Sequence, residues 1–275
     1  MIGFLVAAAL SVAQPSTAVA EHADAIALAE ERGARLYAYD RVAWVGTDHA
    51  LPQLQDRLAE LRGYVITEGE DGQVMTFFGE ADGSMFAAWR ATYRGEERLS
   101  GGRVERDDEA AALTPDEQAT IAARTIAIEQ FMAAKEGDGI FWCAKNPNVA
   151  VLPPEGDDEP FLVYLMTPQT TLQRWPLGGH SRIEVTRDGS TSGMRGFTKS
   201  CIELGNDRKE NEDLSAMFIT HILDPVPTEI HYFTMLASKV PMIVGTGPDK
   251  AWQISSSSDA GIATEPMDLK AKNKD

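Results

Sequence analysis

The chain has 275 residues, and its 42 acidic and 25 basic side chains give a formal net charge of −17. Nucleic-acid binding requires clustered Lys and Arg side chains, so this balance argues against a DNA or RNA partner. The hydrophobic content of 43% is typical of globular proteins, and a chain of this length can bury a sizeable core.

The N-terminus has the pattern of a secretory signal peptide. An uncharged apolar run covers residues 2–13, and Ala18, Val19 and Ala20 supply a small-x-small cleavage site. The run is too short to cross a bilayer, which takes about 20 apolar residues, and no later stretch is long enough either. The sequence therefore predicts cleavage before Glu21, export to the periplasm or the exterior of a bacterium, and a mature chain without a transmembrane segment.

Export determines how the two cysteines are interpreted, because disulfides persist in oxidising compartments. Cys143 and Cys201 are candidates for one disulfide, which would stabilise the fold by about 4 kcal/mol for a loop of this size. Two separate buried thiols are the alternative. A catalytic cysteine is a further option, and it would need a histidine close by in space.

Helices followed by short strands are predicted for the N-terminal region. A first helix covers residues 21–32 and ends at Gly33, and extended segments follow at 36–39 and 42–45. Leucines at positions 51, 54, 58 and 61 share one helical face, which predicts a second helix ending at Gly63. Turn residues then separate the strands of an antiparallel meander, at residues 64–67, 74–78, 85–93 and 104–106.

A capped helix connects this region to the rest of the chain. Thr114 is placed as the N-cap, Pro115 takes the first helical position, and Glu117 can complete a capping box. The helix is predicted to end near residue 135, before a glycine-rich turn. Residues 107–113 mark a soft boundary.

Strands dominate the prediction after this helix. An Asp188-Gly189 pair between two of them is a strong hairpin signal. One late helix, at 228–238, follows a proline-containing corner, and the polar tail after Ser258 is predicted to be disordered. The predicted strands cover residues 140–143, 149–152, 161–166, 182–187, 194–204, 217–223, 242–244 and 252–255.

This order predicts an α+β fold rather than alternating βαβ units. A small N-terminal helix-plus-meander region would be joined by a connecting helix to a larger β-rich C-terminal domain with one late helix. The predicted divisions are a signal peptide at 1–20, the N-terminal region at 21–112, the connecting helix at 113–136, the C-terminal domain at 137–258 and a disordered tail at 259–275.

His180 is the first candidate metal ligand. It opens a predicted strand on which His180, Arg182 and Glu184 share one face by alternation. A His and a Glu on one sheet face could bind a metal or transfer a proton. The alternative is a solvent-facing polar stripe on a half-exposed sheet.

His221 and His231 are the other two candidates, one on each side of the predicted corner. His221 lies in an apolar strand, and His231 falls at the third position of a helix capped by Thr228, where a positive charge is disfavoured. Two neutral imidazoles at such a corner are compatible with zinc. The alternative is that His221 is a satisfied core residue and that His231 helps to cap its own helix.

The arrangement of these residues resembles the JAB/JAMM metalloprotease-type domain. The motif of that family is His-x-His, then after a short gap Ser-x-x-Asp, between a strand and a helix. Here His221 matches the second His, Thr228 stands at the Ser position and His231 at the Asp position. Ile219 stands at the position of the first His, so the resemblance implies a degenerate domain over residues 160–256 at most.

The family also has a catalytic Glu on an earlier strand, and the resemblance offers Glu184 or Glu203 for that role. Two functions therefore follow. The first is an exported soluble protein of the cell envelope that binds a protein or small-molecule ligand without catalysis and without a cofactor. The alternative is a zinc-dependent hydrolase in which His180, His221 and His231 bind the metal.

Overall fold

The computed structural model describes residues 17–95, 98–134, 142–205 and 214–269. Helices and largely antiparallel sheets follow one another without a βαβ repeat, so the predicted α+β class is confirmed. Most of the predicted signal peptide falls outside the described residues. Its last residues begin helix α1 (Thr17–Glu21).

Helix α2 (Ala23–Ala50) confirms the start of the first predicted helix, but it continues past the predicted end at Gly33 and through the predicted extended segments, which are wrong. Gly33 does not end a helix, because it lies where α2 packs against the late helix. A Cβ atom at position 33 would lie 2.5 Å from Cβ of Tyr232, so glycine is needed for this close approach. Leu36, Tyr39 and Val42 are buried at helical spacing on the face of α2 that meets the core.

The second predicted helix is also wrong. Residues 51–57 form two short 3₁₀ turns, and strand β1 (Leu61–Gly69) begins directly afterwards. Leu54 is fully buried, whereas Leu51 and Leu58 are exposed, so the leucines do not form one buried helical face. Gly63 lies inside β1, at a register shift, rather than at a helix end.

The predicted meander is confirmed. Its strands pair in sequence order as an antiparallel sheet, and the fourth strand lies just before the predicted 104–106. The strands after β1 are β2 (Gly72–Ala81), β3 (Ser84–Tyr93) and β4 (Leu99–Arg103).

The connecting helix, α3 (Pro115–Ala133), begins as predicted and ends close to the predicted residue. The Glu117 backbone N–H donates to Thr114 Oγ1 at 3.2 Å, and the Thr114 N–H donates to the Glu117 carboxylate at 2.8 Å. Arg90 of β3 donates to the same carboxylate at 2.7 Å. The capping box therefore also ties the start of α3 to the first sheet.

A second antiparallel sheet has the strand order β5-β6-β8-β9, and β7 and β10 form a separate two-stranded ribbon. The Asp188-Gly189 turn joins β8 to β9 as predicted. The predicted strand at 194–204 is divided between β9 and β10. Half of the predicted strand at 140–143 lies outside the described residues, and residues 142 and 143 are not part of a strand. The bounds are β5 (Asn148–Leu152), β6 (Phe161–Met166), β7 (Arg174–Pro176), β8 (Ser181–Val185), β9 (Thr191–Gly196) and β10 (Glu203–Gly205).

Cys143 and Cys201 are joined by the predicted disulfide, with their sulfur atoms 2.16 Å apart. The bridge packs against Gly179, whose φ is +75° and where a Cβ atom would lie 2.5 Å from Cys143 Sγ. A Cβ atom at Gly178 would lie 2.8 Å from Cα of Cys201. The disulfide therefore supports the segment that leads into β8.

The third sheet has the order β11-β12-β13-β14, with β11 (Met217–Thr220) parallel to β12 (Met242–Gly245). Helix α4 (Glu229–Ser238) connects these two strands. The predicted disorder of the tail is wrong for residues 261–268, because β14 (Gly261–Asp268) pairs with the full length of β13 (Lys250–Ser257). As an edge strand with many exposed side chains, β14 has the polar composition of a tail.

Hydrophobic contacts join the regions on either side of α3. Leu36, Met75, Tyr164 and Tyr232 belong to one buried cluster that draws on α2, the first sheet, β6 and α4. A second cluster packs α3 onto the sheet of β5, β6 and β8. No helix among the described residues is long and apolar enough to span a membrane.

Candidate functional site

His221 lies directly after β11, at the corner that leads to α4. Its backbone N–H donates to the Gly245 carbonyl at 2.7 Å, and its Nε2 lies 2.8 Å from Asp224 Oδ2. Arg195 donates to the other carboxylate oxygen of Asp224 at 2.9 Å. The hydrogen bond from His221 lowers the pKa of Asp224, and the charge of Arg195 adds to this effect.

His231 occupies the third position of α4, as predicted, after the N-cap Thr228. The Thr228 N–H donates to His231 Nδ1 at 2.9 Å, and the Thr228 hydroxyl lies 3.0 Å from the same nitrogen. The rings of His231 and His221 are 4.8 Å apart and meet edge to face. Burial, together with the proximity of His221, lowers the pKa of His231 to about 3, so this ring is neutral at pH 7.

A buried ion pair lies next to this corner. Arg182 of β8 donates to Glu229, the first residue of α4, and also to Glu184 at 2.9 Å. The Tyr164 hydroxyl donates to the same Glu229 oxygen at 3.3 Å, and burial raises the pKa of that hydroxyl. We refer to these side chains and those at the corner as the polar cluster, which comprises Arg182, Glu184, His221, Asp224, Glu229 and His231.

His180 is buried at the start of β8, with both ring nitrogens bonded to backbone groups. Nδ1 accepts a hydrogen bond from the Thr167 N–H at 3.2 Å, and Nε2 lies 2.9 Å from the Pro176 carbonyl, to which it donates. Burial lowers the pKa of His180 to about 4. His180 is therefore a neutral residue that holds the chain between β6 and β8.

The predicted zinc ligands are only partly brought together. His221 and His231 are in contact, but no group of three or more His, Cys, Asp or Glu side chains among the described residues could hold a metal ion. Glu184 lies at the edge of the polar cluster beside Arg182. Glu203 lies on the separate ribbon of β7 and β10, where it pairs with Arg174 at 3.1 Å.

A cleft of about 580 Å³ lies between α2 and α4, bounded also by β1, β5 and residues 166–176. This volume is in the range of small-molecule binding sites. Its lining is mainly aliphatic and aromatic, with uncharged polar groups from threonines, an asparagine and a glutamine. The aromatic lining residues are Tyr39, Trp44, Tyr64, Trp175 and Phe233.

Thr234 of α4 lines the cleft, and its hydroxyl has no hydrogen-bond partner among the described residues although the residue is only 1% exposed. Thr120 of α3 is equally buried, but its hydroxyl donates to the Asp116 carbonyl at 2.7 Å. Buried hydroxyl groups without a partner are uncommon because burial without a hydrogen bond is costly. Thr234 therefore leaves an unsatisfied hydroxyl group in the wall of the cleft, with its oxygen shielded from solvent.

Asp40 lies on the wall of the cleft and stays in contact with solvent. It makes no hydrogen bond and no ion pair with any described residue. The protein groups around it raise its pKa by desolvation, and its charge in turn helps to raise the pKa of Tyr64. Asp48, about two helical turns further along α2, also lines the cleft.

Comparison of the chain with protein-family models, with curated proteins and with solved structures found no match. The resemblance to the JAB/JAMM domain stays a prediction. At its motif, Ile219 is buried in β11 where the first metal-binding His of the family would stand.

Sequence reasoning identified the histidines of the corner but missed the cleft. Asp40, Trp44 and Asp48 were assigned to extended segments and a connection, so no pattern placed them on one helical face. Their spacing along α2 is the signal that could have found this wall. The other wall residues come from distant parts of the chain, and only the fold brings them together.

Proposed function

We propose that this protein is exported and that it binds a small molecule in the cleft between α2 and α4, without catalysing a reaction on it. The observation that carries this proposal is the unpartnered, buried hydroxyl of Thr234 in the wall of a cleft of about 580 Å³. A ligand that occupies the cleft covers its aromatic surface and lies close to this hydroxyl group.

The polar cluster supports the non-catalytic part of the proposal. Glu229 is paired with Arg182, Asp224 is paired with Arg195 and hydrogen-bonded to His221, and His231 is used to cap α4. These contacts give each group a structural role.

A thermal-shift screen tests the binding function. We expect at least one compound, from a panel of amines, alcohols, sugars and carboxylates, to raise the Tm of the wild-type protein. A ligand at 100 times its Kd stabilises the native state by about 2.7 kcal/mol, which a melting curve detects. If no compound raises the Tm, the proposed function is wrong.

Two substitutions on α2 show whether binding occurs in the cleft. Ala43→Trp fills the cleft, because Ala43 lines it, whereas Ala38 is exposed on the same helix and outside the lining. Ala43→Trp should remove the shift and Ala38→Trp should keep it. A shift that survives in Ala43→Trp would place the ligand elsewhere.

Export has its own test. The apolar N-terminus and the disulfide both support secretion through an oxidising compartment. Mass spectrometry of the protein secreted by a bacterial host should find a mature N-terminus at Glu21. Protein that stays in the cytoplasm and begins at Met1 would contradict export.

A further inference from the structure

The charge on the cleft wall is of one sign. Its lining, among the described residues, contains the carboxylates of Asp40 and Asp48 and no Lys or Arg side chain. His180 also lines the cleft, and its pKa of about 4 keeps it uncharged at neutral pH. With a net charge of −17 on the whole chain, both the local and the overall field attract cations.

Neither carboxylate is neutralised by a described partner. Asp40 and Asp48 make no ion pair with a described residue, in contrast to Glu229 and Asp224 of the polar cluster. Arg41, the neighbour of Asp40, lowers the pKa of that carboxyl only as a secondary effect. The wall thus keeps negative charge in a partly desolvated position.

Arg41 lies beside the cleft with its guanidinium over the ring of Trp44, whereas two further arginines make contacts elsewhere. Arg35 pairs with Glu31 and Glu155, both at 3.2 Å. Arg124 lies against the backbone of β1, where a Cβ atom at Gly63 would be 2.9 Å from its Nη2. Neither arginine belongs to the lining of the cleft.

Aromatic rings in the same wall suit a positively charged ligand. Trp44 is 55% exposed, and the guanidinium carbon of Arg41 lies 4.4 Å from the centre of its ring. This face of the Trp44 ring is therefore occupied by a cation of the protein itself. Tyr39, Tyr64 and Phe233 supply further ring surface within the cleft.

We propose that the ligand is an organic cation, a protonated amine joined to an apolar body, whose ammonium group is bound by Asp40. This inference rests on the proposed binding function and names its ligand class. The apolar body contacts the aliphatic and aromatic lining. Anions are disfavoured by the two carboxylates, and a neutral compound of the same shape leaves Asp40 without a counter-charge.

Isothermal titration calorimetry tests the inference with sets of compounds. Within each set the apolar body is the same, and the polar group is positive, neutral or negative. Three sets are used, with phenyl, cyclohexyl and naphthyl bodies, each as an ethylamine, the corresponding ethanol and the corresponding propionate. We expect at least one amine to bind at least tenfold more tightly than its alcohol, and the propionates to bind most weakly. Added NaCl should reduce the preference for the amine, because salt screens exposed charges.

Two variants that each remove one negative charge show whether the preference for the amine arises from the wall of the cleft. Asp40→Asn should abolish the tenfold preference for the amine while leaving the binding of the alcohol unchanged. Asp157→Asn removes one negative charge from an exposed loop and should keep the preference. The melting curve of Asp157→Asn should match the wild type, because that carboxylate is exposed in a loop, and the curve of Asp40→Asn should match it or lie slightly higher, because a partly desolvated charge is removed.

The failure of this inference and the failure of the proposed function give different results. Equal binding of amine and alcohol, blocked by Ala43→Trp, would overturn the cation inference and keep the binding cleft. If a propionate binds most tightly and Ala43→Trp blocks it, the cation inference is also overturned and the binding cleft is kept. If none of the amines binds at 10 mM, the cation inference is overturned, and the full screen then decides the binding function.

Discussion

The polar cluster and the cleft both contain carboxylates, but they differ in whether side chains of the protein pair with them, although Arg182 Nε in the polar cluster also has no hydrogen-bond partner among the described residues. In the polar cluster, Glu229 is paired with Arg182, and Asp224 is paired with both His221 and Arg195. In the cleft, Asp40 has no ion-pair partner among the described residues and Thr234 has no hydrogen-bond partner among them.

Under the proposed function, this difference distinguishes side chains that stabilise the fold from side chains that contact a ligand. A buried charge or polar group that finds its partner within the fold stabilises one arrangement of the chain, and breaking the pair is costly. A buried group that has no partner lowers stability and needs a specific explanation, which in the cleft is the proposed ligand. His221 and His231, the candidate metal ligands of the corner, therefore stabilise the fold.

The largest expected effect comes from breaking the buried ion pair. Arg182→Met leaves the Glu229 carboxylate buried beside Tyr164 without its counter-charge, and should lower the free energy of unfolding by about 3–5 kcal/mol. The double variant Arg182→Met with Glu229→Gln should recover at least half of this loss, because no uncompensated charge remains. Urea denaturation measures both values. A loss below about 1 kcal/mol in the single variant would show that the pair is dispensable, as many exposed pairs are.

Acid should destabilise the protein through its buried histidines. Histidine in an unfolded chain has a pKa of about 6.5, whereas the folded values are about 4 for His180 and about 3 for His231. Between pH 6.5 and 4 these histidines are protonated in the unfolded chain but stay neutral in the folded protein. Stability therefore falls as the pH falls, by about 1.4 kcal/mol per pH unit for each histidine.

Denaturation across that pH range checks the assignment. His231→Gln removes the titrating ring and keeps a side chain that suits the third helical position, so its pH slope should be smaller by one histidine. His49→Asn, on an exposed residue of α2, should leave the slope unchanged. The carboxylates contribute to the pH slope of the wild type and of the variant alike, so they cancel in the difference between the two slopes. An unchanged slope in His231→Gln would mean that His231 is protonated in the folded protein.

A smaller effect compares two buried threonines. Thr120→Val should cost about 1 kcal/mol, because it removes the hydrogen bond to the Asp116 carbonyl. Thr234→Val should leave the free energy of unfolding of the ligand-free protein unchanged or slightly higher, because the hydroxyl it removes has no partner. Equal losses in the two variants would show that Thr234 is satisfied within the protein, and the contrast with the polar cluster would disappear.

The smallest expected effect concerns zinc. His180 uses both ring nitrogens, and His221 and His231 each use one, so we expect EDTA or added ZnCl₂ to leave the Tm unchanged. Elemental analysis of protein purified without chelator should find zinc well below one ion per chain. Stoichiometric zinc that is lost in His221→Ala would favour the hydrolase alternative.

Local signals in the sequence predicted several elements well. Thr114, Pro115 and Glu117 are neighbours, so the capping box at the start of α3 could be recognised without knowledge of the rest of the chain. The same holds for the hairpin at Asp188 and for His231 at the third position of α4. The fold class followed from the order of such elements, and the disulfide from having two cysteines and an export signal.

Long-range contacts decided the elements that were predicted wrongly. Gly33 resembles a helix end in sequence, but it lies within α2 because α4 crosses too closely for any side chain. Strand β14 resembles a disordered tail because its side chains are polar, and only pairing with β13 reveals it. Neither fact is contained in the local sequence.

The sequence by itself determined the fold class, the apolar N-terminus, the presence of two cysteines and the position of His231 in its capped helix. These features depend on residues a few positions apart or on composition. The tertiary structure decided that Asp40 and Thr234 line the same cleft and that Arg182 meets Glu229. A partner, or the lack of one, arises only when elements distant in the chain pack together, because side-chain burial and pairing are properties of the folded core.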